Sequence, residues 1–362
     1  MKIAMIGHKR IPSREGGVEI VVEELSKRLV KDGHSVDVYN RKNGKIMDKE
    51  YEGIRLIPTF TINKKSLDAL IYSFVASIKI LFKRYDIIHY HALGPSVMLI
   101  IPKIFKKKTK IVVTVHGLDW KRAKWGNFAS WYLKLGEKIT AKYADEIIVL
   151  SQNIKEYFFN TYNRETIFIP NGISEAPIKE ISILKEKYGL LKNGYLLFLS
   201  RIVPEKGLDY LIKAYEQLNT DKKLVIAGGS SHTTEYYESI VQKVKDNSNI
   251  IMTGHVEGET LQELYSNAAL YVLPSDIEGM PITLLEALSY QCPVLVSDIA
   301  ENVQVAGINN SFKQGDVNDL KEKLEERLSS NDKRIVTFNK EFYNWDNITR
   351  QMITEVYQRN IK

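Results

Sequence analysis

Two glutamates eight residues apart, Glu278 and Glu286, bracket a glycine, a proline and a short apolar run in Glu-Gly-Met-Pro-Ile-Thr-Leu-Leu-Glu. In a chain with 44 acidic residues the pair alone means little. Its context supplies the chemistry. Ala269 to Leu273 reads as a buried strand and Pro281 suits the first turn of a helix, which the pattern carries to Tyr290. That helix start presents the backbone N–H groups of Ile282, Thr283 and Leu284, a ready site for a phosphate-sized anion. Glu278 and Gly279 stand just before it, at the carboxyl end of a strand, where open α/β sheets bind ligands. A second loop adds positive charge. Arg201 and Lys206, in Ser-Arg-Ile-Val-Pro-Glu-Lys-Gly, follow the apolar strand Tyr195 to Leu199 and precede a helix beginning near Gly207. An arginine and a lysine placed there can hold a diphosphate as it gains charge in a transition state.

Earlier in the chain, His116 directly follows the apolar strand Ile111 to Val115 and so stands at another carboxyl edge. Gly16 and Gly17 open a helix from Val18 to about Lys31, whose apolar residues Val18, Val21, Val22, Leu25 and Leu29 have helical spacing. Glycines at a helix start let backbone come close to an anion. His89 and His91 share one face of their strand, a spacing that suggests a metal. They have no evident carboxylate or cysteine partner in the sequence, and no Asp-x-Asp motif occurs, so the expectation is a site without a metal and an enzyme without a cofactor.

The elements that must position these residues alternate, strand then helix, along the whole chain, in the manner of parallel-sheet α/β domains. Strands are expected at Lys2 to Ile6, Ser35 to Tyr39, Ile54 to Ile57, Asp86 to Tyr90, Lys110 to Val115, Glu146 to Leu150 and Thr166 to Ile169. A second series runs from Tyr195 to Val296. The turn Pro170-Asn171-Gly172 separates the two, giving an N-terminal domain over 1–172 and a C-terminal domain over 173–343. Ile348, Met352 and Val356 recur every four residues in a last helix, 344–362. Leu67 to Phe82, interrupted by Asp68 and Lys79, is too short to span a bilayer and reads as a buried helix.

Composition excludes several classes. A single cysteine, Cys292, forbids an internal disulfide and fits a reducing cytosol. The N-terminus reads as a first strand rather than a signal peptide. The dinucleotide pattern Gly-x-Gly-x-x-Gly is absent, which disfavours a nicotinamide dehydrogenase. Residues 1–172 carry 30 Lys and Arg against 17 Asp and Glu, whereas 173–362 carry 21 against 27. The basic half suits an anionic membrane, a phosphorylated acceptor or nucleic acid. Within it, Trp120 to Lys138 interleaves three tryptophans with lysines and an arginine, and Lys103 to Lys110 adds a basic run. Such a mixture suits lipid headgroups or stacked RNA bases, or it is partly core, with Trp125, Phe128 and Trp131 turned inward.

Glu-Gly-Met-Pro-Ile-Thr-Leu-Leu-Glu-Ala-Leu followed by Pro-Val-Leu-Val-Ser-Asp resembles the signature of retaining glycosyltransferase family 4. The resemblance implies the GT-B fold, two Rossmann-like parallel-sheet domains facing across a cleft, with the C-terminal helix crossing back to the first. It implies that Glu278 faces the donor sugar, Glu286 holds the nucleotide ribose, and the backbone of Gly279, Met280, Pro281, Ile282, Thr283 and Leu284 holds the diphosphate. Arg201 and Lys206 match the residues that stabilise the leaving diphosphate. His116 would lie beside the sugar and the reacting centre, Gly16 and Gly17 would face the donor phosphates, and Asn171 would touch the donor. Ile-Gly-His-Lys-Arg-Ile-Pro-Ser-Arg-Glu-Gly-Gly-Val-Glu, with Val-His-Gly-Leu-Asp-Trp-Lys-Arg-Ala-Lys-Trp-Gly, is similar to the branch containing bacterial capsule and exopolysaccharide rhamnosyltransferases.

The expected function is retaining transfer of a sugar from a nucleotide donor, such as dTDP-rhamnose or a UDP-hexose, to a glycan or lipid-linked saccharide. Expected partners are that donor, that acceptor and an anionic membrane, not nucleic acid, with the protein cytoplasmic at the inner face of the cell membrane. The alternatives are a nucleotide-sugar epimerase of the same fold, which would need no large acceptor, and a non-enzymatic membrane- or sugar-binding module.

Overall fold

Alternation of apolar runs with helical periods builds two separate sheets in the computed structural model, which describes residues 1–42, 48–62, 67–121, 126–230, 234–329 and 336–359. The chain divides into one unit of Met1–Gly172 with Glu341–Lys362 and a second of Ile173–Lys340.

The first sheet contains β1 (Lys2–Ile6), β2 (Ser35–Lys42), β3 (Glu50–Tyr51), β4 (Ile54–Phe60), β5 (Ile87–His91), β6 (Lys110–Val115), β7 (Glu146–Val149) and β8 (Ile167–Phe168), in the order β3-β4-β2-β1-β5-β6-β7-β8. Its strands pair in parallel except β3 with β4, an edge hairpin turned by Glu52 and Gly53 at positive φ. Both faces are covered, so the central strands are apolar almost throughout. Ile88, Tyr90, Val113 and Val115 pack with Tyr72, Ala76 and Ile80 from the helix Asp68–Leu81 and with Leu133 and Ile139 from the helix Asn127–Tyr143. Burying one such side chain fully is worth about 2 kcal/mol.

The stretch expected as a buried helix is instead amphipathic. Only one of its sides meets the sheet, and Phe74 and Phe82 are left exposed.

At the far end of the chain, the helix Trp345–Gln351 widens into a π-helical turn, Met352–Tyr357. Trp345, Ile348, Met352, Val356 and Tyr357 are buried. The segment belongs to the first unit, where Arg28 of the helix Gly17–Lys31 bonds Asp346 at 2.6 Å.

The second sheet contains β9 (Tyr195–Leu199), β10 (Lys223–Ala227), β11 (Ile250–Gly254), β12 (Leu270–Leu273), β13 (Val294–Ser297) and β14 (Ser311–Phe312), in the order β11-β10-β9-β12-β13-β14. All pairs are parallel. The chain winds outward from β9 in one direction, then returns to add β12 on the other side. The strand order therefore reverses between β9 and β12, the place where doubly wound sheets open a crevice for ligands. Each unit is thus a parallel-sheet α/β domain.

Candidate active site

The loops after β9 and β12 meet at that reversal. After β9 the chain forms a short 3₁₀ turn, Pro204–Lys206, and Gly207 then turns it into the helix Leu208–Tyr215. Gly207 has φ +65°, and a Cβ there would sit 2.0 Å from the carbonyl oxygen of Pro274, in the loop after β12. Only glycine permits so close an approach. The Asp276 N–H donates to the Glu205 carbonyl at 3.0 Å and ties the two loops again.

This contact sets the charges. The Lys206 ammonium forms an ion pair with Glu278 Oε1, and both side chains are nearly buried, 10% and 7% exposed. The Ser275 hydroxyl donates to the same carboxylate oxygen at 2.7 Å. Ser275 is itself held, its carbonyl accepting from the Ser297 hydroxyl, to which Asn302 Nδ2 donates at 3.0 Å. Arg201 lies half-buried on the same loop as Lys206.

The segment after Glu278 is packed tightly. Gly279, Met280, Pro281, Ile282 and Leu284 are buried and Thr283 is half-buried. The helix spans Ile282–Ser289 with Pro281 as its N-cap, one residue later than the sequence pattern indicates, and no side chain caps it. The expectation that Leu284 offers a free N–H is corrected: it donates to the Pro281 carbonyl at 3.1 Å. The fixed φ of proline closes a turn there, so the anion-binding capacity of this helix start rests on the amides before Leu284.

Glu286 is half-buried, and Tyr265 donates to its Oε2 at 3.1 Å. The Tyr265 ring stacks on Tyr290 at 5.4 Å and packs against Tyr271, whose hydroxyl bonds Thr283 Oγ1 at 2.9 Å. Burial first, and then the Glu286 carboxylate, hold the Tyr265 hydroxyl well above its ordinary pKa, so it stays a donor. Ser275, Tyr265 and Tyr271 escaped the sequence reading because nothing in their spacing distinguishes them from other buried polar residues.

The first unit carries the remaining candidates. His116, immediately past β6, shares a 3.1 Å hydrogen bond between its Nε2 and His91 Nδ1 at the end of β5. Gly16 and Gly17 follow β1 at the start of their helix, but the Glu19 carboxylate folds back over them. A Cβ at Gly16 would lie 2.5 Å from Glu19 Oε2, and Glu19 Oε1 accepts from the Lys9 N–H at 2.9 Å. An anion approaching this helix start would meet a carboxylate as well as free N–H groups. Asn171 is buried beside Trp345 and Ile348 in a small cavity. The candidates thus fall into two sets. Arg201, Lys206, Glu278 and Glu286, with the 279–284 backbone, lie in the second unit, and His116, Gly16, Gly17 and Asn171 lie in the first.

The aromatic-basic segment resolves into two environments, with Trp125, Arg122 and Lys124 outside the described residues. Trp120 packs on the core and donates to buried Glu137 at 2.7 Å, an oxygen-rich anchor that also accepts from Tyr157 and Tyr162. Phe128 and Trp131 are 69% and 58% exposed and contact each other. Of the alternatives open for this segment, the one that makes it partly core does not hold for these two. The inward face of their helix is Leu133, Gly136, Glu137, Ile139 and Thr140. Ile104 and Phe105, beside Lys103 and Lys106, are exposed as well. Among the described residues, no helix is long and apolar enough to cross a membrane.

Comparison with known proteins accords with this geometry. Residues 15–176 match the model of Glycosyltransferase Family 4, and residues 181–341 match that of Glycosyl transferases group 1. The UDP-Gal:alpha-D-GlcNAc-diphosphoundecaprenol alpha-1,3-galactosyltransferase of Escherichia coli is 26% identical over 313 residues, 82% of this chain and 80% of the relative. Among solved structures, the sucrose-phosphate synthase of Thermosynechococcus elongatus superimposes with a TM-score of 0.82 at 21% identity, covering 97% of each chain. HepE of Anabaena, in complex with UDP and glucose, superimposes with a TM-score of 0.78 at 18% identity, covering 98% of each. On these matches the chain is a glycosyltransferase of the GT-B type, its first half belonging with the Family 4 model and its second with the group 1 model.

Proposed function

We propose that the protein transfers a hexosyl or 6-deoxyhexosyl group from a nucleoside diphosphate donor to a glycan or lipid-linked saccharide, with retention at the anomeric carbon. The observation that carries this reading is the Lys206–Glu278–Ser275 cluster at the strand-order reversal, directly before an uncapped helix start. Lysine there meets a diphosphate, glutamate meets sugar hydroxyls, and the amides before Leu284 meet the phosphate oxygens. Glu286, whose carboxylate accepts from Tyr265, is assigned to the ribose diol. HepE, with UDP and glucose bound, supports a nucleotide-sugar donor, and the galactosyltransferase relative supports an acceptor on a lipid diphosphate.

In the reaction, the bond from the anomeric carbon to the diphosphate oxygen breaks while a bond to the acceptor oxygen forms on the same face. The acceptor proton passes to the departing diphosphate. Arg201, Lys206 and the helix start stabilise the negative charge that builds on that diphosphate, so protein groups supply the counter-charge without a metal or cofactor. Glu278 orients the sugar, and His116 contacts it near the reacting carbon. With a rhamnosyl donor that contact falls on a group other than a 6-hydroxyl. Gly16, Gly17 and Asn171, all in the first unit, are taken as further donor contacts.

The exposed Ile104, Phe105, Phe128 and Trp131, set among lysines, fit the interface between water and an anionic leaflet, which would bring the enzyme to the inner face of the membrane that holds a lipid-linked acceptor. The test is transfer from an α-linked nucleotide sugar to a lipid-diphosphate saccharide, with the product's anomeric configuration read by NMR. An α-linked product supports the reading, and a β-linked product refutes retention. Phe128→Ser with Trp131→Ser should lower binding to anionic vesicles; undiminished binding would remove the membrane assignment.

A further inference from the structure

Three histidines, His89 and His91 buried in β5 and His116 half-buried just past β6, form a continuous array on one face of the first sheet. Residues two apart share a face, so His89 and His91 of β5 lie on the same side as Thr114 of β6 and, two residues later, His116. The His89 and His91 rings stack with centroids 4.2 Å apart, and His91 and His116 follow at 5.4 Å. His89 is held at both nitrogens: Nδ1 bonds the Tyr357 hydroxyl at 2.8 Å and Nε2 bonds Thr114 Oγ1 at 2.7 Å. Tyr357 reaches it from the π-helical turn at the end of the chain. Beside β5, Gly7 has φ +120° and a Cβ there would lie 2.0 Å from the His91 carbonyl oxygen, so the backbone on that side is closed up as well.

His91 differs from His89 in one respect. Its Nδ1 bonds His116 Nε2, but its own Nε2 is buried with no hydrogen-bond partner. Burial, followed by the neighbouring His89, His116 and His8 rings, holds its pKa well below the ordinary value, so the ring is neutral and carries one proton. Two placements of that proton are possible. On Nε2 it would leave a buried N–H unsatisfied. On Nδ1 it donates to His116 and leaves only a lone pair unsatisfied, and buried orphan donors are the rarer of the two. His116 Nε2 is then the acceptor, and a neutral His116 must carry its proton on Nδ1.

We propose that His91 is a positioning residue that fixes both the orientation and the tautomer of His116, so that His116 acts as a hydrogen-bond donor through Nδ1. His89, clamped by Tyr357 and Thr114, is the platform on which His91 stacks. The consequence for catalysis rests on the reading that His116 contacts the donor sugar: it would then donate to a sugar oxygen rather than accept from a sugar hydroxyl. The tautomer itself does not depend on that reading.

The test uses the intact, ¹⁵N-labelled protein and long-range proton–nitrogen spectra of the histidine rings, with His116 assigned by its loss in His116→Asn. The expected result is a neutral Nδ1–H His116 in the wild type. His91→Leu shifts it toward a mixture of tautomers and lowers kcat/KM roughly tenfold, the worth of one such hydrogen bond. His91→Asn, whose amide can replace the Nδ1 donor, restores the tautomer and most of the activity. Tyr357→Phe, a milder change in the same array, should broaden the His91 and His116 signals if His91→Leu does not fold. A wild-type His116 protonated on Nε2, or a tautomer indifferent to His91, would overturn the proposal. The expected tautomer shift with undiminished transfer in His91→Leu would uphold the positioning and reject the sugar contact of His116.

Discussion

The Lys206–Glu278 pair permits a quantitative prediction. Both side chains are almost out of water, and Glu278 also accepts from the Ser275 hydroxyl. Removing one member of such a pair costs about 3–5 kcal/mol, because the other charge stays buried without its counter-ion. Taking the lower figure, Lys206→Met should lose roughly 3 kcal/mol, a fall of about 6–12 °C in Tm for a domain of this size. Glu278→Gln should lose a comparable amount. The double variant removes both charges and should lose little more than either single one, giving a coupling of about 2 kcal/mol or more. The same pair also constrains binding, since an ammonium engaged by Glu278 must turn from it to meet a diphosphate. Glu278→Gln should therefore bind a nucleoside diphosphate roughly tenfold more tightly, which corresponds to about 1.4 kcal/mol, while transferring sugar far more slowly. Calorimetric melts of the four proteins and nucleotide titrations read both effects. Stability losses that add to within about 0.5 kcal/mol, together with weaker diphosphate binding by Glu278→Gln, would show that the two charges are not coupled.

Three further outcomes are expected. Gly207→Ala should destabilise the second unit by more than 1–2 kcal/mol, roughly the cost of αL strain alone, and weaken nucleotide binding, since its Cβ would push against Pro274; an unchanged melt would show that the two loops are not locked there. Tyr265→Phe should raise KM for the donor and Kd for the nucleoside diphosphate about equally, by roughly fivefold, with kcat nearly unchanged, because the lost hydroxyl bonds Glu286 and the Thr283 carbonyl and reaches nothing at the sugar; a selective fall in kcat would contradict a ribose role. Burial lowers His8 from 6.5 to about 4 and His89 to about 3. As pH falls through 6.5 the unfolded chain takes up protons that the folded chain refuses, so stability declines between pH 6.5 and 4, with about 3 kcal/mol from His8 alone. His8→Gln should flatten that decline, and an identical pH slope in the variant would be the contrary result.

Much of the second unit is legible in the sequence because its chemistry follows directly on apolar strands. Ser-Arg-Ile-Val-Pro-Glu-Lys-Gly after β9 and Ser-Asp-Ile-Glu-Gly-Met-Pro after β12 are loops bounded by strong strand and turn signals. What the pattern does not contain is strand order, which brings these two loops together, or the turn at Pro281 that occupies the Leu284 amide. Two-residue strands such as β3 and β14 leave no periodic trace. The aromatic-basic segment was ambiguous because helical spacing places tryptophans on either side equally well until the neighbouring helices fix which face is inward. The histidine array was half visible: alternation puts His89 and His91 on one face, but their partner Tyr357 is 268 residues from His89, and no local signal reports a contact at that separation.

In the proposed function, the second unit holds a nucleotide-sugar donor through Lys206, Glu278 and the adjoining helix start. The most direct test is thermal stability of the full chain across a panel of nucleoside diphosphates and their sugar conjugates, in the wild type and in Lys206→Ala. The expected result is a rise with one diphosphate and its conjugate, about 2.7 kcal/mol at a hundredfold excess over Kd, and its loss in the variant. No rise with any member of the panel, or an equal rise in Lys206→Ala, would contradict it.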